Sequence, residues 1–249
     1  MGVIAGFFRA CATAVLFALF ALGGAVITVF IMPFVPNRRA GQRVVRLVWI
    51  VLVKIFTALR LISVDASRLR PVKGRIIVAN HPSLIDVVLL TAAMPGVFSV
   101  AKSSLRRNPF IGFIVSRVML TDDEKILDEA RSVLSGGGNV LIFPEGTRTP
   151  LTGESPRLHR GAAQLAIRLG VPVAPVSIEV SRRILAKHQS ILDMGEKTVA
   201  YSLISGEDIL PPENGSANRV KAIALTQSIA DALRLQLNGS GGMGGRGCR

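Results

Sequence analysis

The stretch "IIVANHPSLIDVVLL", residues 76–90, decides how the chain is read. It opens as a run of β-branched residues, breaks at Asn80, His81, Pro82 and Ser83, and resumes as an apolar segment that holds Asp86. A strand, a polar corner and a helix fit this order, because Asn80 or Ser83 can cap a helix and Pro82 suits a helix entrance. On an unbroken helix, five residues turn the side chain through about 500° and put His81 and Asp86 on different faces. The break at Pro82 lets the imidazole fold back onto the carboxylate. An aspartate on one ring nitrogen fixes the tautomer, stabilises the imidazolium and leaves the other nitrogen to take a hydroxyl proton. Taken alone, the pattern serves equally well as a capped helix with a corner histidine.

Outward from this corner, short β-branched runs recur: "RIIVA" at 75–79, "VFSVA" at 97–101, "NVLIF" at 139–143, "VAPVSI" at 173–178 and "TVAYSLI" at 198–204. Each has the texture of a strand. Between them, "EKILDEARSVLSGGG" puts Ile126, Leu127, Ala130, Val133 and Leu134 on one helical face and stops at glycines, and "LHRGAAQLAIRLG" stops at Gly170. This alternation predicts an α/β fold, a mixed sheet flanked by helices. A last amphipathic helix, over about 216–237, precedes "NGSGGMGGRGCR", a Gly-rich tail expected to be disordered. Gly239, Gly241 and Gly244 satisfy G-x-G-x-x-G there, but with no strand before and no helix after them the dinucleotide reading fails.

Composition narrows the function class. The 249 residues carry 30 Lys+Arg against 16 Asp+Glu, a net charge of +14, yet 49% are hydrophobic and mean hydropathy is +0.47. A basic and apolar chain fits a surface of anionic lipid, where each Lys or Arg near the headgroups gains roughly 1 kcal/mol. One Trp and one Tyr make poor base-stacking platforms, so nucleic acid is not an expected partner. Cys11 and Cys248 offer neither a disulfide framework nor a metal site. From residue 10 to 37 nothing is charged, a run long enough to cross a hydrocarbon core of roughly 30 Å. A signal peptide is the rival reading, but the run exceeds an ordinary signal core. Residues 37–75 then carry ten Lys/Arg and one acid, Asp65, which places the following domain on the cytoplasmic face of the membrane. "LVWIVLVKIFTAL" at 47–59 is short and broken by Lys54, suiting an interfacial helix or hairpin partner, or else an ordinary buried helix. The expected organisation is membrane-attached N-terminal helices over 1–62, a catalytic domain over 63–237 and the tail over 238–249.

A second constellation stands in "VLIFPEGTR", where a strand ends at Phe143 and opens into Pro144, Glu145, Gly146, Thr147 and Arg148. Ligands of open α/β sheets bind at that kind of strand end. Gly146 permits a tight backbone, Arg148 can fork onto a phosphate or carboxylate, and Glu145 can accept from a hydroxyl or hold an arginine. No G-x-S-x-G elbow is present and neither cysteine lies near a histidine, so the sequence offers no evident nucleophile for a covalent enzyme intermediate. His159 and His188 are read as solvated.

"NHPSLID" at 80–86, "AKSSLRRNPFIG" at 101–112, "FPEGTR" at 143–148 and "GVPVAPVSI" at 170–178 resemble, in order and spacing, the four motif blocks of the glycerolipid acyltransferases. The resemblance covers about residues 70–200. It implies acyl transfer from acyl-CoA or acyl-carrier protein, as co-substrate and without a further cofactor, to the hydroxyl of a lyso-lipid, first of all 1-acyl-sn-glycerol 3-phosphate. By position it makes His81 the base and Asp86 its partner. It makes Glu145, Gly146, Thr147 and Arg148 acceptor-binding residues, with Arg148 on a phosphate. Lys102, Arg106 and Arg107 can meet the phosphates of the donor, and Pro172 with Pro175 belongs to a block associated with substrate. Members acting on a glycerol phosphate commonly place an arginine a few residues after the second block, where this chain reads "MLTDDE" with Asp122 at the approximate position. A different lyso-lipid acceptor, one with an amino-acid headgroup among them, and a non-catalytic lipid-binding scaffold are the alternatives.

Overall fold

The computed structural model describes residues 30–107, 112, 115, 118–149, 157–185, 189, 197–212 and 219–239, together with Cys11, Ala14 and Val15. Its elements in chain order are α1 (Arg38–Ala58), β1 (Ile62–Asp65), β2 (Ile76–Ala79), α2 (Asp86–Ala93), β3 (Val97–Ala101), a 3₁₀ turn (Ser103–Arg107), β4 (Leu120–Thr121), α3 (Ile126–Ser135), β5 (Asn139–Ile142), α4 (Gly161–Leu169), β6 (Val173–Val180), β7 (Val199–Ser205) and α5 (Arg219–Gly239). The seven strands form one mixed sheet in the order β1-β7-β6-β2-β5-β3-β4. All neighbours are parallel except β6 and β7.

The period of β2 explains the layering. Its four residues are all buried, and alternate side chains leave opposite faces of the sheet. Ile77 and Ala79 enter a cluster with Leu52 and Phe56 of α1, Leu89 and Leu90 of α2, and Tyr201 of β7. Ile76 and Val78 enter the other, with Val133 of α3, Ile167 of α4 and Ile229 of α5. A strand buried on both faces reads as a continuous apolar run, as "IIVA" does. Each fully buried Ile or Leu is worth roughly 2 kcal/mol of transfer free energy, which makes β2 the structural axis of the domain.

Helix ends follow their expected chemistry. Asn37 caps α1 by accepting from the Ala40 N–H at 3.0 Å. Gly170 closes α4 in the left-handed region, φ 63°, where a side chain would be strained. Two side-chain ties hold α1 on the domain: Gln42 Nε2 donates to the Val97 carbonyl at 3.2 Å, and Arg38 pairs with Glu129 of α3 at 3.0 Å. The segment 47–59 is therefore the second half of a continuous 21-residue helix. Leu52 and Phe56 are buried, as in an ordinary core helix, while Leu47, Val51, Ile55 and Leu59 form an exposed apolar stripe at every fourth residue.

The uncharged run at 10–37 falls almost entirely outside the described residues. Among the described residues no helix is long and apolar enough to cross a membrane. The mixed α/β sheet flanked by helices is as expected, with β1 and β4 as additional strands at its two edges.

Strand directions fix where chemistry can gather. Because β6, β2, β5, β3 and β4 run parallel, the loops leaving their C-terminal ends share one edge of the sheet. The antiparallel β7 begins at that same edge, with Tyr201 opposite Val180.

Candidate active site

At that edge β2 hands its pairing from backbone to side chain. The backbone ladder with β6 ends at Ala79, and Asn80 extends it with its amide: Nδ2 donates to the Ile178 carbonyl at 2.9 Å and Oδ1 accepts from the Ile178 N–H at 2.7 Å. The backbone is then free to leave the sheet at His81. It is caught at once by the loop after β5. The His81 N–H donates to Glu145 Oε1 at 3.1 Å, and the His81 carbonyl accepts from the Thr149 N–H at 2.7 Å. Glu145 Oε1 also accepts from the Thr149 hydroxyl at 3.0 Å. The first and third motif blocks thus interlock through the main chain of one histidine.

The His81 ring does fold back past Pro82. Nδ1 lies 2.8 Å from Asp86 Oδ2, and the Phe143 ring stacks on the imidazole at a centroid distance of 4.2 Å. Asp86 is completely buried, so each carboxylate oxygen needs donors. Oδ2 accepts from the Ser83 N–H at 2.7 Å as well as from His81, and Oδ1 accepts from the Ser83 hydroxyl at 2.7 Å. Neither Asn80 nor Ser83 caps the helix that follows: α2 starts at Asp86, Ile85 occupies its N-cap position, and no side chain closes it. The Asp86 carboxylate instead folds the corner onto itself, holding the Ser83 N–H and hydroxyl together with the His81 ring. Burial pushes the Asp86 carboxyl above its usual range, and the donors on His81 and Ser83 pull it back. With Nδ1–H committed to Asp86, Nε2 is the ring atom left to act as a base, and it has no partner among the described residues.

Glu145 is buried and holds the loop, one oxygen occupied and the other, Oε2, without a hydrogen-bond partner among the described residues. Burial pushes its carboxyl up, against the pull of the Thr149 hydroxyl and the His81 N–H. Gly146 turns the backbone at φ 63°, and a β-carbon there would lie 3.0–3.1 Å from the ring of His159. His159 is exposed, as expected, but its imidazole edge lies against this turn, and its N–H donates to the Pro144 carbonyl at 2.7 Å. Thr147 is exposed beside it. Arg148 Nη1 donates to the Leu185 carbonyl at 2.7 Å, and that carbonyl also accepts from the Leu84 N–H at 3.2 Å, so Leu185 joins both motif loops. Leu185 is itself a buried non-glycine residue in the left-handed region, φ 54°.

The second block lies on the same edge, after β3. Lys102 is exposed, whereas Arg106 is paired with Asp123 at 2.9 Å rather than standing open for a donor phosphate. Bonds from the Thr121 hydroxyl and the Lys125 N–H, with the charges of Arg106 and Lys125, hold Asp123 below the usual carboxylate range. Asp122 accepts from the Ser103 N–H, at 2.6 Å, and so caps the 3₁₀ turn. One oxygen of its carboxylate is thus engaged by the protein's own backbone.

Pro172 is not brought to this site. Its carbonyl accepts from Ile76 N–H at 3.1 Å, at the start of β2, and His81 follows the end of that strand. At about 3.3 Å per residue the two lie at opposite edges of the sheet. His188 falls outside the described residues. Among the described residues no three His, Cys, Asp or Glu side chains gather as metal ligands. Sequence reading missed Asn80 as a strand clamp, Phe143, Thr149, Leu185 and Tyr201, whose roles depend on which strands are neighbours.

A buried carboxylate bonded to an imidazole thus stands beside the FPEGTR loop. Residues 61–179 match the acyltransferase family. Over 179 residues the chain is 30% identical to a 1-acyl-sn-glycerol-3-phosphate acyltransferase of Chlamydomonas reinhardtii, covering 68% of this chain and 52% of that protein. The chain belongs to the glycerolipid acyltransferases. Two proteins of Pseudomonas aeruginosa are also similar. One, a 1-acyl-sn-glycerol-3-phosphate acyltransferase, is 28% identical over 59% of this chain and 62% of its own length. The other, a lyso-ornithine lipid O-acyltransferase, is 35% identical over 42% of this chain and 43% of its own. This acyltransferase chain thus spans between two fifths and two thirds of the length of these relatives. Its fold is that of the crystallised 1-acyl-sn-glycerophosphate acyltransferase PlsC of Thermotoga maritima, with a TM-score of 0.65 over 96% of this chain and all of that one, at 21% identity.

Proposed function

We propose that this chain is an O-acyltransferase that moves a fatty acyl group from acyl-CoA or an acyl-carrier protein to the hydroxyl of 1-acyl-sn-glycerol 3-phosphate, giving phosphatidic acid. The observation that carries the reading is the His81 Nδ1 to Asp86 Oδ2 contact of 2.8 Å, with Nε2 open at the sheet edge. His81 Nε2 takes the acceptor's hydroxyl proton as its oxygen attacks the thioester carbonyl carbon. Asp86 stabilises the imidazolium so formed. The carbon–sulfur bond then breaks, and the proton passes from His81 to the departing sulfur, leaving an ester and a free thiol. A thioester is already activated, so alignment and one base serve the reaction without an acyl-enzyme. Glu145 Oε1, which accepts from the His81 N–H and the Thr149 hydroxyl, holds the FPEGTR loop beside the base. The exposed stripe Leu47, Val51, Ile55 and Leu59 gives the domain an apolar side to lay on the cytoplasmic face of the membrane that holds the acceptor.

A second acceptor has its own support. Asp122 and Asp123 are acidic where phosphate-binding relatives are expected to carry an arginine, and the lyso-ornithine lipid O-acyltransferase is among the similar proteins. The test is the purified chain offered a panel of lyso-lipids with radiolabelled acyl-CoA and acyl-carrier protein. Esterification of lysophosphatidate, lost in His81→Ala, is the expected result. Exclusive use of a phosphate-free acceptor replaces the first acceptor by the second, and full turnover by His81→Ala removes the base.

A further inference from the structure

The chain has a single tyrosine, and it is fully buried beneath the catalytic corner. Tyr201 stands on β7, two strands away from β2 in the sheet, and its hydroxyl lies 3.2 Å from Ser83 Oγ. Ser83 Oγ is in turn 2.7 Å from Asp86 Oδ1. A serine hydroxyl has one hydrogen to donate. Facing a carboxylate on one side and a phenol on the other, it gives that hydrogen to the anion and accepts from the phenol. Burial pushes the Tyr201 phenol up, far above any pH at which such an enzyme works, so Tyr201 acts only as a donor. All directions along the chain are thereby fixed: Tyr201 donates to Ser83, Ser83 to Asp86, and His81 Nδ1–H to the same carboxylate. We propose that Tyr201 is a positioning residue of the His81–Asp86 pair, acting through the Ser83 hydroxyl. The proposal deepens the acyl-transfer reading and rests on it.

The physical need is specific. A buried carboxylate beside a second carboxyl, Glu145, tends to take up a proton, and a protonated Asp86 no longer supports the imidazolium. The ionisable groups that face Asp86 are His81 from the corner, Glu145 from the loop after β5 and Tyr201 from β7. Of these, Tyr201 is neutral and acts by polarising the Ser83 hydroxyl, since donors in series strengthen one another in a low-dielectric interior.

The test separates this role from packing. Tyr201→Phe keeps the ring in the core and deletes one oxygen. The expected result is a kcat lowered about fivefold, the scale of one neutral hydrogen bond, with unchanged KM for donor and acceptor. The acid limb of kcat/KM moves to higher pH, because Asp86 holds its proton more firmly. In a Ser83→Ala background the same change adds nothing. Since Tyr201 is the chain's only tyrosine, biosynthetic replacement by 3-fluorotyrosine alters this ring alone and makes it a stronger donor. It moves the acid limb the opposite way, to lower pH, and supplies a comparison if Tyr201→Phe does not fold. The fluorine resonance of that protein shifts on Ser83→Ala whether or not turnover occurs. An active wild type with Tyr201→Phe folded and its pH profile unmoved, or a fluorine resonance indifferent to Ser83→Ala, overturns the proposal. A wild type that acylates no lyso-lipid while the resonance does shift overturns the acyl-transfer reading instead.

Discussion

The side-chain amide of Asn80 bonds both the N–H and the carbonyl of Ile178, at 2.7 and 2.9 Å, standing in for the next backbone rung between β2 and β6. Asn80→Ala leaves both groups of Ile178 without their partner, at a cost of about 2 kcal/mol. It also releases the backbone immediately before His81. A lowered melting temperature together with a reduced kcat is the expected outcome. Asn80→Asp keeps the acceptor but turns an oxygen onto the Ile178 carbonyl, so it recovers little of either.

Asp86→Asn retains the shape of the corner and reverses its polarity at one atom. An amide that turns its NH₂ toward His81 favours the tautomer with the proton on Nε2, where the base is needed. The expected fall in kcat is on the order of 10⁴-fold, the effect of the same exchange in other His–Asp pairs. Circular dichroism checks that the fold survives. A kcat within threefold of wild type dismisses the carboxylate as a partner to the base.

Glu145 carries a pH-dependent stability term. Its carboxyl is raised in the folded state by burial, above an ordinary value of about 4.5. Between that value and the folded one the native protein binds more protons than the unfolded chain, so this group's contribution is full at lower pH and is lost as pH rises. Glu145→Gln keeps the acceptor oxygen for His81 and Thr149 and removes the charge. Its melting temperature relative to wild type is expected to rise as the pH is raised above about 4.5. A difference that is flat or falls across that window excludes a raised carboxyl.

Gly146→Ala tests the turn that carries the acceptor loop. The left-handed backbone costs about 1 kcal/mol with a β-carbon, and that carbon meets the His159 ring at 3.0–3.1 Å. The His159 side chain is exposed and can swing aside, so stability falls modestly. The expected larger effect is a raised KM for the acceptor, with donor KM unchanged, measured by steady-state kinetics.

Five strands were legible as β-branched runs, and His81 and Asp86 as a pair five residues apart across a polar break. β1 was not, because "ISVD" has one buried side chain, Ile62, and follows directly on the apolar end of α1. β4 has two residues and no period at all. The helix limits at Gly136 and Gly170 were written in their own residues. What sequence could not supply was adjacency. Asn80 meets Ile178 across 98 positions, and Tyr201 meets Ser83 across 118, because β6 separates β2 from β7 in the sheet. Pro172 was misplaced for a related reason: a motif block that spans a strand start does not say which end of that strand faces the chemistry. Arg106 looked available until β4 brought Asp123 beside it.

The bond from the Ser103 N–H to Asp122 ties residue 122 to the turn that follows β3. An exchange of Asp122 for a side chain without an acceptor oxygen therefore changes two things together, the local charge and the anchoring of residue 103.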